Sequence, residues 1–122
     1  MIITKDNEIE SEIMNAHGGS GLMDIKFAFK SEQGYGNQND SGWNCFAIAT
    51  LPIDATAGYH KHSDTDEFFY ILEGEARLVV DGEERKISKG DIILTKAGSS
   101  HGIKDVSKEL KFVVIEVYKK NK

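Results

Sequence analysis

The chain has 122 residues, 39% of them hydrophobic and 29% charged, which is long enough to bury one core and ordinary for a soluble globular protein. Fifteen basic against 20 acidic residues give a net charge of −5, which argues against a general nucleic-acid binder and against an anionic membrane surface as partner. With Cys45 as the single cysteine, no signal-like N-terminus and no apolar run near the roughly 20 residues of a membrane span, the expectation is one cytoplasmic domain over residues 1–122.

Twelve glycines and one proline point to many tight turns, as in an all-β protein. Asp6–Asn15 suits a short helix, although its apolar positions are sparse. His17–Gly21 reads as a turn, and Asp24–Phe29 alternates with the period of two that marks a strand. Ser31–Ser41 is polar and reads as a mobile loop; its Asn39-Asp40-Ser41 matches the glycosylation sequon, taken as chance in a chain without a secretory signal. Strands follow at Asn44–Leu51, Glu67–Leu72 and Ala76–Val80, the last running into Asp81-Gly82, a strong hairpin signal. Glu84–Ile87, a turn at Lys89-Gly90, a strand at Asp91–Thr95 and a loop at Lys96–Ser100 come next. Leu110–Tyr118 is the longest β-rich run and is expected in the middle of a sheet. Short strands at this spacing, without αβ alternation, predict a sandwich or barrel.

Three of the four histidines fall in one spacing pattern. His60 and His62 are two apart, so on a strand both side chains share a face, roughly 6.6–7 Å apart along the backbone. Two imidazoles so placed can converge on an ion with bonds of about 2.0–2.2 Å. Ser63–Asp66 has the length of a hairpin loop, which would return Glu67 nearly opposite His62 and within reach of the same ion. His101 follows a later loop, and a closed barrel would bring it to the same interior. Three neutral imidazoles and a carboxylate would leave a divalent ion with a net charge near +1, and an octahedral ion would keep two positions for water or substrate. This donor set does not choose among Mn, Fe, Co, Ni, Cu and Zn.

Gly58-Tyr59-His60-Lys61-His62, four residues, Glu67, six residues, Gly74 resembles the first cupin motif. Gly90, five residues, then Lys96-Ala97-Gly98-Ser99-Ser100-His101 resembles the second. Asp54 stands where the family's first motif has glycine; Lys96 and Asp105 stand where its second has proline and asparagine. These departures touch turns and the loop rim and leave His60, His62, Glu67 and His101 intact as metal ligands. The resemblance spans roughly Leu51 to Tyr118 and is to the small single-domain, conserved-barrel cupins. It implies a double-stranded β-helix, or jelly-roll barrel, with the metal inside. The motif-bearing core would cover about 44–118, residues 1–43 would pack on or extend the sheets, and the resemblance also implies a homodimer.

Other residues carry weaker expectations. Phe69 and Ile71 share the face of Glu67 and should line the interior, whereas Tyr59 and Lys61 should face out. Asp64, Asp66 and Lys96 read as solvated loop charges, Lys96 with a lesser chance of meeting an anion at the rim. His17 reads as a turn residue remote from the motifs, Cys45 as a small buried hydrophobe, and Trp43 and Phe46 as core. Gly98-Ser99-Ser100-His101-Gly102 matches G-x-S-x-G, but a nucleophile elbow needs a following helix that nothing here predicts. The expected function is a divalent-metal-dependent enzyme acting on a small oxygen-rich molecule, of isomerase or dioxygenase type, with catalytic residues beyond the ligands unknown. The alternative is a small-molecule binding or sensing protein without turnover.

Overall fold

The computed structural model describes residues 1–31 and 41–119. Its strands are β1 (Glu12–Met14), β2 (Met23–Lys30), β3 (Trp43–Leu51), β4 (Ala57–Lys61), β5 (Thr65–Val80), β6 (Glu83–Ser88), β7 (Ile92–Thr95) and β8 (Ser100–Tyr118). All pairings are antiparallel, in the order β1-β2-β3-β8-β5-β6, with β4 added on β8 and β7 on β5. Among the described residues the only helical turns are short 3-10 turns at Asp6–Glu8 and Ala16–Gly18, and no helix is long and apolar enough to cross a membrane.

The Asp6–Asn15 helix does not form. Its sparse apolar residues give no stripe to bury; Glu12–Met14 instead pairs with Met23–Ile25 as an outer strand. Most of the Ser31–Ser41 segment, including Asn39 and Asp40 of the sequon, lies outside the described residues.

Two long strands build the scaffold. The first half of β5 lies between β7 and the end of β8, and its second half lies between β6 and the start of β8. β8 likewise meets β4 near its start and β3 near its end. Each strand therefore serves two faces of the molecule, and the register between them shifts between Ile71 and Arg77, where they bend. Gly74 sits at that bend with φ +102°, and a Cβ there would lie 2.1 Å from the Glu109 carbonyl oxygen, so only glycine fits.

Alternation along β3, β5 and β8 turns Ala47, Ala49, Leu51, Phe69, Ile71, Leu110, Phe112 and Val114 into a shared core. Phe69 and Ile71 are buried as expected; Phe46 is not, because its inward neighbours Cys45 and Ala47 leave it on the outer face at 38% exposure. Trp43 is partly buried. One expected pairing is replaced. β4 hydrogen-bonds to β8, not to β5, so His62 and Glu67 are not hairpin partners; His60 lies opposite His101, and Glu67 lies between Thr95 and Glu116.

Candidate metal centre

The four sequence-predicted donors come together inside the barrel wall. His60 is the penultimate residue of β4, and its Nδ1–H donates to the Gly58 carbonyl at 2.7 Å, which leaves the Nε2 lone pair free to face inward. His62 lies one residue beyond β4. Its N–H donates to the Ser99 carbonyl and its own carbonyl accepts from the Gly98 N–H, so the Lys96–Ser100 loop grips it from both sides. Its Nδ1 is 3.2 Å from the Thr65 hydroxyl. His101 is the second residue of β8, with Nδ1 3.0 Å from the Thr95 hydroxyl and its ring stacked on Phe69 at 5.4 Å. In all three rings an oxygen partner occupies Nδ1, the outer-sphere arrangement that aims Nε2 at an ion.

The Nε2 atoms of His60 and His62 are 2.9 Å apart. Glu67 Oε1 is 3.4 Å from His62 Nε2 and 3.0 Å from His101 Nε2. Donors about 2.1 Å from one ion are separated by roughly 3.0 Å along an octahedral edge and roughly 3.4 Å along a tetrahedral one. The observed spacings fall in that range, and His60, His62 and His101 form a group that could hold a metal ion. Inward lone pairs this close repel unless a proton or cation lies between them.

Electrostatics favours neutral imidazoles. Burial, and then the neighbouring histidines, push His101 down to about 3, and burial followed by His60 lowers His62. Burial pushes Glu67 up to about 10, helped by its hydrogen bond to Glu116 and by that residue's charge. Without a cation, the two buried carboxyl groups hold a proton; a divalent ion reverses that preference.

Glu116 is the residue sequence reading missed. It is 4% exposed, accepts from Asn44 Nδ2 at 2.8 Å and from the Cys45 thiol at 3.5 Å, and stands 3.6 Å from His62 Nδ1. His62, Glu67 and Glu116 make a second group with converging donors. The signal was present: Leu110, Phe112, Val114 and Glu116 share one period-two face, so a carboxylate occupies an apolar phase. Cys45 is buried beside it, and burial raises its thiol further from ionisation. His17 was also placed too far away, because its ring stacks on His60.

The remaining residues are plainer. Tyr59 and Lys61 face out. Asp66 is not simply solvated: its Oδ1 accepts from the Ala97 N–H at 2.8 Å and ties down the loop that holds His62. Lys96 reaches Asp66 at 3.4 Å and stays 69% exposed. The Gly98–Gly102 stretch runs from loop into strand with no helix after it, so no nucleophile elbow forms. His17, His60, Glu67 and His101 line a cavity of about 70 Å³ whose other walls are largely apolar, Phe69 and Phe112 among them. None of the described residues lining it is a lysine or arginine.

The sequence profile of the cupin domain family matches residues 47–118. The chain belongs to the cupin family, and its fold is the jelly-roll barrel of that family. It is 29% identical over 116 residues to the oxalate-binding protein of Thermotoga maritima, covering 93% of this chain and 92% of that one. It superposes with a TM-score of 0.86, at 28% identity, on a Thermotoga maritima protein described as a predicted oxalate decarboxylase, covering 97% of this chain and all of that one. The pectin degradation protein KdgF of Dickeya dadantii is 32% identical over 59 residues, 48% of this chain and 52% of that protein.

Proposed function

We propose that the chain holds one divalent transition metal through His60, His62, Glu67 and His101 and uses it to bind and act on a small oxygen-rich molecule. The observation that carries this reading is the convergence of the Nε2 and Oε1 atoms at 2.9–3.4 Å spacings, with each Nδ1 engaged by oxygen. When bound, such an ion supplies Lewis-acid polarisation of a coordinated oxygen and, if it is iron, access to dioxygen. The chain's own residues keep the imidazoles neutral and surround the donors with largely apolar walls.

The ligand class follows from the walls. The cavity, about 70 Å³, is small, and it offers no lysine or arginine to a phosphate. That disfavours sugar phosphates and favours oxalate or a short 2-oxo acid. The name of the Thermotoga oxalate-binding protein supports the same class. Elemental analysis should find near one metal per chain, and titration of the metal-loaded protein with oxalate should saturate. A protein that stays ion-free after exposure to each first-row divalent metal would sink the reading. Dioxygen uptake by the iron-loaded protein with keto acids would mark a dioxygenase, anaerobic conversion with Mn or Zn an isomerase, and saturable binding without conversion a sensor.

We also propose a homodimer. Register aligns Phe29, Phe46, Ile115, Phe68 and Leu94 as one unbroken row across β2, β3, β8, β5 and β7 on the outer face. Phe29, Phe46 and Leu94 are 37–45% exposed there. A flat apolar row of this kind suits a second copy of the same surface. Sedimentation should show a dimer that Phe46→Glu with Leu94→Glu converts to a monomer; a wild-type monomer at high concentration would refute it.

A further inference from the structure

The ring of His17 lies face to face with that of His60, centroids 3.5 Å apart and planes 15° from parallel. The contact is built in by the chain around it. A strap over residues 15–21 is clamped to the segment leading into β4: the Thr56 N–H donates to the Ser20 carbonyl at 2.8 Å, and the Ser20 N–H donates to Thr56 Oγ1 at 2.7 Å. Glycines bring the backbones closer than any side chain would allow. A Cβ on Gly58 would lie 2.0 Å from the His17 carbonyl oxygen, and one on Gly19 2.2 Å from that of Thr56. His17 itself has φ 48°, a left-handed conformation uncommon outside glycine.

Stacking makes His17 a poor fifth donor. Its ring lies beside that of His60, and its nitrogens are not in the converging group of His60, His62 and His101. The stack gives His60 what the barrel gives the other rings. His62 and His101 are 9% and 2% exposed, and His101 leans on Phe69 in a near-parallel stack. His60 is only partly buried, and its hydrogen bond to Gly58 fixes one edge of the ring. We propose that His17 is a positioning residue that holds the His60 ring by its flat face, so that Nε2 stays aimed at the ion. This rests on the reading of His60 as a metal ligand.

The test compares His17→Ala and His17→Phe with the wild type. Co²⁺ affinity is measured by chelator competition, and the visible spectrum of the Co²⁺ form reports the ligand field. His17→Ala should weaken binding about tenfold and alter the spectrum, the usual scale for losing an outer support of a ligand. His17→Phe, which keeps a flat ring and discards the nitrogens, should restore both. Wild-type affinity in His17→Ala would overturn the proposal, and so would His17→Phe failing as badly as alanine, since the nitrogens would then be what matters. Should His17→Ala not fold, His17→Leu fills the space without a flat ring and takes its place. A wild type that binds no Co²⁺ removes the metal reading and this inference with it, and the wild-type measurement alone reveals that outcome.

Discussion

Glu67 and Glu116 are opposite partners on β5 and β8, and both turn their carboxyl groups into the barrel, 7% and 4% exposed. Burial first, and then the hydrogen bond to Glu116 and that residue's charge, keep a proton on Glu67 up to about 10 in the absence of a cation. Replacing Glu116 by glutamine removes one charge and keeps an oxygen for Asn44 and Cys45. Glu116→Gln should raise the metal-free stability at pH 8 by roughly 1 kcal/mol, about 4 °C in Tm. Thermal unfolding checks this; a lower Tm would mean that the pair is held together by something other than a shared proton.

The pH profile of the metal-free protein follows from two opposed shifts. His101, ordinarily near 6.5, is lowered to about 3 in the fold, so its contribution is full above 6.5 and lost as pH falls toward 3. His17 and His62 are lowered too and act in the same direction. Glu67, raised from 4.5 to about 10, contributes below 4.5 and loses that contribution as pH rises toward 10. Below about 6.5 the three histidines outweigh the single carboxyl, so stability should rise with pH, peak near 6.5 and decline above it. Saturating Mn or Zn should abolish the alkaline decline, because a cation favours ionised Glu67. Tm measured from pH 4 to pH 9, with and without metal, decides; a metal-free Tm still climbing at pH 9 would contradict it.

Much of this was legible in the sequence where the chemistry is local. Asp81-Gly82 is a two-residue turn with φ 48° and 82°, and Val80 pairs with Glu83, as the dipeptide alone indicates. His60, His62, Glu67 and His101 were singled out by spacing and all reach one place, though through β8 rather than the expected hairpin. Bends hid the rest. Glu67–Leu72 and Ala76–Val80 look like two strands because Gly74 and the register shifts interrupt the alternation, yet β5 is continuous. The first half of β8 vanished for the same reason: Asp105 has φ 50° and breaks the alternation between Ile103 and Leu110. His17 reaches His60 only through close glycine contacts across the fold, which one-dimensional spacing cannot express.

Gly74 and Gly82 separate two kinds of glycine requirement. Both have positive φ, but a Cβ on Gly82 meets nothing within 4 Å, whereas one on Gly74 would strike the Glu109 carbonyl. Gly82→Ala should cost about 1 kcal/mol, the price of the left-handed conformation. Gly74→Ala adds a backbone clash at the bend of both long strands and should cost at least about 3 kcal/mol. Denaturant unfolding of the two variants checks the ranking; equal losses would show that β8 moves away from Gly74 freely.

Ligand substitutions should leave different signatures. His60→Ala with His62→Ala removes two of the converging nitrogens and should take the metal content from near one per chain to near zero. Glu67→Gln is the sharper case. In the metal-free protein at pH 8, folding must place a proton on buried Glu67, and a neutral amide removes that cost, so Tm at pH 8 should rise. With metal present it removes the one anionic donor of the proposed set, so affinity should fall at least about tenfold. A glutamate kept only for packing or hydrogen bonding would lose stability on substitution and leave metal affinity unmoved. A metal-free Tm that rises together with a metal affinity that falls is the pattern of a carboxyl retained for the ion at a cost to the metal-free fold, and the opposite pair of results would remove Glu67 from the site.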